Sequence, residues 1–427
     1  MNLIKTSFIS AISTAVTILT GFVTNKIIAV YTGPAGLALL GQFSNFTSAV
    51  MAFSTGGINN GVIKYTAEFS GDDNRMLRIL STSFIIVVFC SFVVSAPIII
   101  FRRHLSLYLL KSESYSSVFL IFGFTLILFA LNSVLMSVLN GYKEIKKYVA
   151  VNIASSFVGL IFTGALVFYL GLYGAFLSFV TAQSVVFLIT LGMVARSRWF
   201  EVKNFFQGYD KDSLVRLGKF ALMTLVSAFT FPTVQIIIRN HIADRVSLEA
   251  AGYWQGVWRI SEVYLMLITT SLSIYYLPRL SEIKETNILR KEIIHGYKIL
   301  LPVVVVSALS VYFLREPIIR ILFTGKFLPM SELFAFQLIG DFLKISSWLL
   351  SYLMIAKAMT KLFISTDIVF SLSFLGLSML FINLYGVVGV TYAFALNYLL
   401  YLLVMSWIFR DVILANSEAV HRENTRA

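Results

Sequence analysis

The sequence predicts an all-α polytopic membrane protein with twelve transmembrane helices, and three observations lead to this fold class. First, 58% of the 427 residues are hydrophobic and only 13% are charged, with a mean hydropathy of +0.84. A soluble domain of this size does not have such a composition. Second, apolar runs long enough to cross a bilayer recur along the whole chain. Third, Lys and Arg are distributed unevenly between alternate gaps, as in membrane proteins of fixed topology.

The individual helices are predicted from apolar runs that end at charged residues or at Gly and Pro clusters. A run of about 20 residues spans the hydrocarbon core of a membrane as a helix. The twelve predicted spans are residues 6–30, 37–65, 79–101, 116–140, 148–169, 173–195, 220–238, 250–277, 298–314, 333–356, 362–382 and 387–409.

The distribution of basic residues predicts the topology. With the N-terminus placed in the cytoplasm, 22 Lys and Arg residues fall in the cytoplasmic segments, so both termini are expected inside. The same bias explains the net charge of +13, and we expect no nucleic-acid partner. Lys26, Lys64, Arg259 and Lys344 lie within predicted spans. The eight basic residues assigned to the opposite side are Arg102, Arg103, Lys111, Arg239, Arg245, Arg315, Arg320 and Lys326.

The longest gap on the cytoplasmic side, residues 196–219, divides the chain into two halves of six spans each. We therefore expect an N-terminal lobe (1–205) and a C-terminal lobe (206–427), related as parallel repeats. Outer loops are short, and the sequence has no Cys/His cluster, no Gly-rich phosphate loop and no catalytic signature. These features predict a protein that is not an enzyme and that holds no cofactor or metal. Cys90 is the only cysteine, so no intrachain disulfide can form.

The eighth span contains ionisable residues well inside its ends. Gln255, Arg259 and Glu262 fall on one face of a helix at about 100° per residue. Because a charge within a membrane costs several kcal/mol unless it is paired or faces water, this face is expected to line a polar cavity or a buried charge network. The alternative is that Arg259 and Glu262 form only a structural ion pair one turn apart.

The tenth span repeats this spacing with the charges reversed. Gln337, Asp341 and Lys344 are spaced as Gln255, Arg259 and Glu262 are. One hypothesis is that the two helices touch and that Arg259 faces Asp341 while Glu262 faces Lys344. Half-buried carboxylates of this kind couple proton or cation movement in other transporters. Glu262, Asp341, Lys344 and Gln337 are therefore candidates for a coupling or structural charge network.

The first two spans supply further polar candidates. Lys26 lies in span one, and either a cavity role or snorkelling to the surface would fit its position. Span two is interrupted at residues 54–57 (Ser-Thr-Gly-Gly) and continues with Asn59, Asn60 and Lys64. A polar, Gly-rich break at membrane depth is tolerated only where it is buried or lines water, and it can serve as a hinge. For Lys64, snorkelling is the favoured interpretation.

Several stretches, in this order and spacing, resemble the Wzx-type polysaccharide flippases of the MOP transporter superfamily, and within them the enterobacterial lipid III flippases. The likeness runs along nearly the whole chain. The stretches are GPAGL (33–37), NGVIKYTAEF (60–69), LGKFALMTLVSAFTFP (217–232), GYWQGVWRIS (252–261), SIYYLPRLS (273–281), FAFQLIGDFLK (334–344) and IAKA (355–358).

The resemblance implies two six-helix lobes around a central cavity that opens alternately to each face. It also implies a substrate, undecaprenyl-pyrophosphate-linked oligosaccharide, turned across a bacterial inner membrane from the cytoplasmic to the periplasmic leaflet. Lys26 and Arg259 stand where cationic residues of relatives meet the pyrophosphate; Arg259 departs from the small polar residue of lipid III flippases and is a candidate for substrate selection. With sugar-binding amides, the expected substrate site is Lys26, Arg259, Gln255, Asn59, Asn60 and Lys64.

Three questions stay open at this level. The glycan is either an O-antigen repeat unit or lipid III, and the energy source is undetermined. A polysaccharide polymerase and a chain-length regulator are candidate partners of what is expected to be a monomer. The alternatives to a flippase are a multidrug or metabolite exporter of the same fold, which the surplus of basic candidates disfavours, and a membrane-embedded polymerase, for which the outer loops are too short.

Overall fold

A computed structural model describes residues 3–69, 72–197, 199–272, 276–283, 285–357 and 359–413, and these contain helices and no strand. In the described part of the chain, 3-10 helices at Glu113–Tyr115, Val202–Phe205 and Gly325–Leu333 accompany the α-helices. The α-helices are α1 Leu3–Ser54, α2 Asn59–Glu68, α3 Asp73–Ile100, α4 Arg102–Leu110, α5 Ser116–Gly141, α6 Ile145–Val194, α7 Lys211–Arg245, α8 Leu248–Ser271, α9 Leu277–Glu282, α10 Thr286–Phe313, α11 Arg315–Leu322, α12 Phe334–Ala356, α13 Thr360–Tyr385, α14 Val388–Ile408 and α15 Arg410–Ile413.

The helices match the twelve predicted spans. In the described part of the chain, eight helical segments are long and apolar enough to cross a membrane. Two of them, in α1 and α6, are about twice the required length, and each is bent at a glycine with non-helical backbone angles, Gly33 and Gly171. Each therefore supplies two spans. Of the remaining predicted spans, 220–238 lies within α7, and residues 250–271 of span 250–277 lie within α8. The prediction of an all-α, multi-pass membrane protein is confirmed.

A turn of the form Gly-x-x-Gly separates the last two spans of each half. Gly171 and Gly386 have φ of 57° and 64°, a conformation that favours glycine because it carries no Cβ. Three residues later, a Cβ on Gly174 would lie 1.9 Å from the carbonyl oxygen of Leu166. A Cβ on Gly389 would lie 2.1 Å from the carbonyl oxygen of Phe381, which is also eight residues earlier. The same turn in the same register supports the predicted internal repeat.

The short helices repeat in the same order. In the first half, the 28-residue α3 is followed by the nine-residue α4, a 3-10 turn and α5. In the second half, the 28-residue α10 is followed by the eight-residue α11, a 3-10 helix and α12. Both short helices begin with arginine, at Arg102 and Arg315. The stretches predicted as outer loops at these positions therefore contain short helices.

The predicted break in the second span is present between α1 and α2. Gly56 and Gly57 have φ of 60° and 65°, which ends α1 at Ser54 before α2 begins at Asn59. A Cβ on Gly57 would lie 3.0 Å from the carbonyl oxygen of Ala221 in α7. The break therefore also allows a close approach of α7 to the backbone at this point.

Contacts divide the chain into two compact units. Unit 1 comprises Met1–Ile236 with the segment Leu322–Thr324, and unit 2 comprises Ile237–Ile321 and Gly325–Ala427. The change from one unit to the other therefore falls within α7. The predicted division at residues 205 and 206 into lobes of six spans stays a prediction.

The segment that follows α6 is held against unit 1 by Glu144, which lies in the turn before α6. Its carboxylate accepts hydrogen bonds from Ser197 (3.0 Å) and Trp199 (2.9 Å) and forms an ion pair with Lys147 (2.7 Å). Trp199 also stacks on Tyr142, with ring centroids 5.3 Å apart. Partial burial raises the pKa of the Glu144 carboxyl, but the hydrogen bonds from Lys147, Ser197 and Trp199 outweigh it, so the pKa lies below its usual value.

Further along, Asp210 attaches the same segment to α3. Its carboxylate accepts hydrogen bonds from the Ser213 hydroxyl (2.7 Å) and the Ser213 backbone N–H (2.9 Å), and these bonds lower the pKa of Asp210. Its own N–H donates to the Thr82 hydroxyl, and Arg78 lies 3.6 Å from its carboxylate. Ser81 donates to the carbonyl of Gly208 at 2.7 Å. The described part of the 196–219 gap is thus held in place by side-chain contacts within unit 1.

Candidate functional site

The candidate site is built on α8, whose two faces differ in chemistry. Ser247 caps the helix, because its hydroxyl accepts a hydrogen bond from the N–H of Ala250 (3.0 Å). One face is apolar and buried, and includes Trp254 and Trp258, which are 1% and 4% exposed. The other face carries Gln255, Arg259 and Glu262, as the spacing predicts.

Arg259 and Glu262 form an ion pair within α8. Arg259 Nη1 lies 3.1 Å from Glu262 Oε2, and each side chain is 47% exposed. The second carboxylate oxygen, Oε1, accepts a hydrogen bond from Trp258 Nε1 at 2.9 Å. The hypothesis that Arg259 faces Asp341 is therefore wrong for this structure: Arg259 pairs with the carboxylate one turn along its own helix.

Asp341 on α12 is 1% exposed, and its carboxylate accepts hydrogen bonds from neutral donors. Its carboxylate accepts hydrogen bonds from Tyr264 Oη at 2.8 Å and from Gln337 Nε2 at 3.4 Å, and it also bonds to the Ser261 side chain. Tyr264 and Ser261 lie on α8, so α8 and α12 meet at Asp341 through hydroxyl groups rather than through an Arg–Asp pair. Asp341 also attracts Lys344, one turn along α12.

Lys344 lies among aromatic rings. Its ammonium nitrogen is 4.8 Å from the ring centroid of Trp348, 5.6 Å from that of Trp258 and 6.0 Å from that of Tyr398. Rings at this distance stabilise a cation by their quadrupoles. Lys344 is attracted by both Asp341 and Glu262. No ion pair within 4.0 Å joins Glu262 and Lys344 in the described part of the chain, so the hypothesis that these two residues face each other stays a prediction.

Arg239 belongs to the same cluster, although the sequence analysis placed it in an outer loop. That placement is wrong: α7 continues to Arg245, and Arg239 is only 3% exposed. Its Nη2 donates to Gln255 Oε1 at 2.5 Å, and its guanidinium lies 5.4 Å from the ring centroid of Trp254. It is also attracted by Glu262. The sequence signal was weak, because the apolar run ends at Ile238, one residue before the arginine.

The predicted residues of unit 1 lie in a different environment. Lys26 is half-buried and donates to the backbone carbonyl of Phe323. Asn59 Nδ2 donates to Ser133 Oγ at 2.9 Å and so links α2 to α5. Asn60 and Lys64 are exposed. Within unit 2 the structure thus brings together seven polar side chains: Arg239, Gln255, Arg259, Glu262, Gln337, Asp341 and Lys344.

The cluster in unit 2 contains the kinds of cationic groups that can bind an anion. Two guanidinium groups and one ammonium group lie near two carboxylates, and the half-exposed Arg259 is the accessible member. A guanidinium presents paired N–H donors that match phosphate oxygens. Among the described residues, no three His, Cys, Asp or Glu side chains are grouped closely enough to hold a metal ion.

Comparison of the sequence with known proteins identifies a family and relatives with a named activity. The model of the family described as polysaccharide biosynthesis protein matches residues 3–284. The lipid III flippase of Escherichia coli (strain K12) is 30% identical over 410 residues, which cover 94% of this chain and 96% of the relative. The lipid III flippase of Shigella flexneri matches to the same extent.

Solved structures are similar in fold over nearly the whole chain. The inward-facing conformation of a multidrug resistance MATE family transporter of the MOP superfamily matches with a TM-score of 0.77 and 12% identity, covering 93% of this chain and 95% of that one. The lipid II flippase MurJ in its inward closed conformation matches with a TM-score of 0.73 and 18% identity, covering 96% and 90%. At these identities the likeness shows the fold alone.

Proposed function

This chain belongs to the polysaccharide biosynthesis protein family, and from that premise we propose that it is a flippase for undecaprenyl-pyrophosphate-linked oligosaccharide. It moves this lipid from the cytoplasmic to the periplasmic leaflet of a bacterial inner membrane by alternating access. The observation that carries the proposal is the 30% identity to a lipid III flippase over 94% of this chain and 96% of the relative. The protein is a transporter and not an enzyme.

Arg259 is the residue that we propose contacts the pyrophosphate. A diphosphate leaves water only where cationic donors replace its hydration, and Arg259 is the half-exposed guanidinium of the cluster. Arg239 and Lys344 add positive charge nearby. Lys26, Asn59, Asn60 and Lys64 of unit 1 and Gln255 of unit 2 are proposed to contact the phosphate or the sugar hydroxyl groups.

The energy source and the partners are part of the same proposal. Asp341, held by Tyr264 and Gln337 and attracted to Lys344, is a candidate for proton or cation coupling together with Glu262. We propose a monomer with both termini in the cytoplasm, whose product passes to a polysaccharide polymerase and a chain-length regulator. The glycan itself is either an O-antigen unit or lipid III.

A multidrug exporter is the second candidate, and one observation favours it: the TM-score of 0.77 with a MATE transporter. That likeness carries only 12% identity, whereas the flippase relatives reach 30%. The accessible cation of the cluster, Arg259, is also unsuited to cationic drugs, because like charges repel. A membrane-embedded polymerase has no comparable support.

Complementation tests the proposed function. Bacterial cells that lack their own flippases receive the wild type, Arg259→Ala or Arg279→Ala, and surface O-antigen and enterobacterial common antigen are measured separately. Arg279 is an exposed arginine on α9 that also has a glutamate three residues later, so it is a matched control. We expect one glycan to return with the wild type and with Arg279→Ala, and to fall about tenfold or more with Arg259→Ala at equal membrane levels. If neither glycan returns with the wild type, the exporter becomes the better proposal.

A further inference from the structure

Three cations of unit 2 are drawn towards Glu262. Arg259 forms an ion pair with it at 3.1 Å, and Arg239 and Lys344 are both attracted to it. Trp258 Nε1 occupies its other oxygen at 2.9 Å. The carboxylate of Glu262 therefore lies where the positive charge of the cluster is concentrated.

The same donors would suit a phosphate group. A guanidinium binds a carboxylate and a phosphate through the same paired N–H groups, so Arg259 cannot bind both fully at once. Because Arg259 is half exposed, an incoming anion can reach it without unfolding α8. The hydrogen bond of Glu262 from Trp258 and its attraction to Lys344 do not involve Arg259, although Lys344 is shared with Asp341.

A purely structural role explains this arrangement poorly. A half-exposed ion pair within one helix adds little to stability. The spans of the first half, residues 12–67, 79–101, 116–140 and 145–194, contain no Asp or Glu, yet they build the same succession of helices. The fold therefore does not require a carboxylate at membrane depth.

We propose that Glu262 is a stand-in anion. In the protein without substrate, the Glu262 carboxylate binds Arg259 at the position that a phosphate group of the lipid-linked diphosphate takes when the substrate binds. This inference rests on the proposed function. The pair lowers the affinity of the empty site for any anion. When Glu262 returns to Arg259 it competes with the bound diphosphate and speeds its release, which a carrier needs as much as it needs binding.

The test is direct binding of farnesyl diphosphate to the purified full-length protein in detergent. Glu262→Gln keeps the shape of the side chain and its acceptor for Trp258 but removes the charge that competes for Arg259. The matched control is Glu282→Gln, which removes a carboxylate from another Arg–Glu pair with the same spacing, Arg279–Glu282 on α9. Arg259→Ala reports on the proposed function independently, and thermal unfolding verifies that each variant is folded.

We expect Glu262→Gln to bind farnesyl diphosphate about twofold to fivefold more tightly than the wild type, as removal of a half-exposed competing ion pair implies. Glu282→Gln should bind as the wild type does, and Arg259→Ala should bind more weakly. If Glu262→Gln binds farnesyl diphosphate as the wild type does or more weakly, while Arg259→Ala binds it more weakly, the proposal for Glu262 is wrong. The proposed role of Arg259 in binding is then retained. If Arg259→Ala binds as tightly as the wild type, the proposed site itself fails.

Discussion

The two halves of the chain have the same order of helices but differ in the chemistry at membrane depth. Each half has a long third span followed by a short arginine-led helix, and each ends in two spans joined by a Gly-x-x-Gly turn. In unit 1 the contacts between the spans include neutral pairs such as Thr163–Ser178 and Asn59–Ser133, and Lys26 donates to a backbone carbonyl. Unit 2 contains carboxylates as well: Glu262 pairs with Arg259 within α8, and the buried Asp341 of α12 accepts from Tyr264 of α8.

This difference separates what the fold needs from what the function needs. Small hydroxyl and amide groups suffice to join helices in a membrane, because they can pair without the cost of burying a charge. Since the spans of the first half contain no Asp or Glu, carboxylates at such positions of unit 2 are not required by the architecture. Their cost must be offset by a ligand or by movement of charge, and the proposed diphosphate supplies the ligand.

The largest expected effect concerns the buried carboxylate of unit 2. Asp341→Ala removes the acceptor of Tyr264 and the charge that attracts Lys344, so we expect it to destabilise the protein by about 3–5 kcal/mol. The counterpart in unit 1, Asn59→Ala, removes one neutral hydrogen bond to Ser133 and should cost about 0.5–1.5 kcal/mol. Thermal unfolding of the purified variants measures both. Equal costs would mean that the two units do not differ as described.

The next effect tests what the halves share. Gly174→Ala and Gly389→Ala each place a Cβ within 2.1 Å of a backbone carbonyl oxygen, so each should lower stability by about 1–3 kcal/mol or more. Gly376→Ala on α13 is the control, because no atom lies within 4 Å of the added carbon. Membrane levels and melting temperatures report the result. A large loss at one turn and none at the other would argue against a repeated turn.

The smallest effect is a pH dependence at Glu144, outside the spans. A carboxyl group whose pKa is lowered on folding stabilises the folded state above its unfolded pKa of about 4.3 and loses that contribution as the pH falls through the folded value. The contacts of Ser197 and Trp199 with Glu144 should therefore persist at neutral pH and weaken only in acid. A fluorine-labelled Trp199 followed by NMR should titrate below the usual carboxyl range, and Glu144→Gln should abolish the titration. A midpoint above the usual range would contradict the assignment.

The sequence predicted the spans well because long apolar runs and their boundaries are local properties. The break at residues 54–57 and the polar face of α8 were also predictable, since glycine conformation and helical periodicity are local. The partners of those polar groups were not. Pairing Arg259 with Asp341 assumed how α8 and α12 are rotated, whereas Tyr264 and Ser261 fill that contact.

Arg239 shows a second limit. A hydropathy boundary marks where a run stops being apolar, not where the helix ends, and α7 continues from Ile238 to Arg245. The Gly-x-x-Gly pattern is present in the sequence, but the pattern alone did not predict a turn. The turn is seen from the positive φ of Gly171 and Gly386 and from the absence of space for a Cβ at Gly174 and Gly389.

The most direct test of the central claim is whether Arg259 recognises the diphosphate during transport. The purified protein is reconstituted into liposomes, and translocation is compared for two short-chain prenyl-linked saccharides that differ only in a diphosphate or a monophosphate linkage. The account predicts that the wild type prefers the diphosphate and that Arg259→Ala loses that preference, with Arg259→Lys intermediate because it keeps the charge but not the forked donor. If Arg259→Ala keeps the full preference at an unchanged rate, the charged cluster of unit 2 does not recognise the substrate.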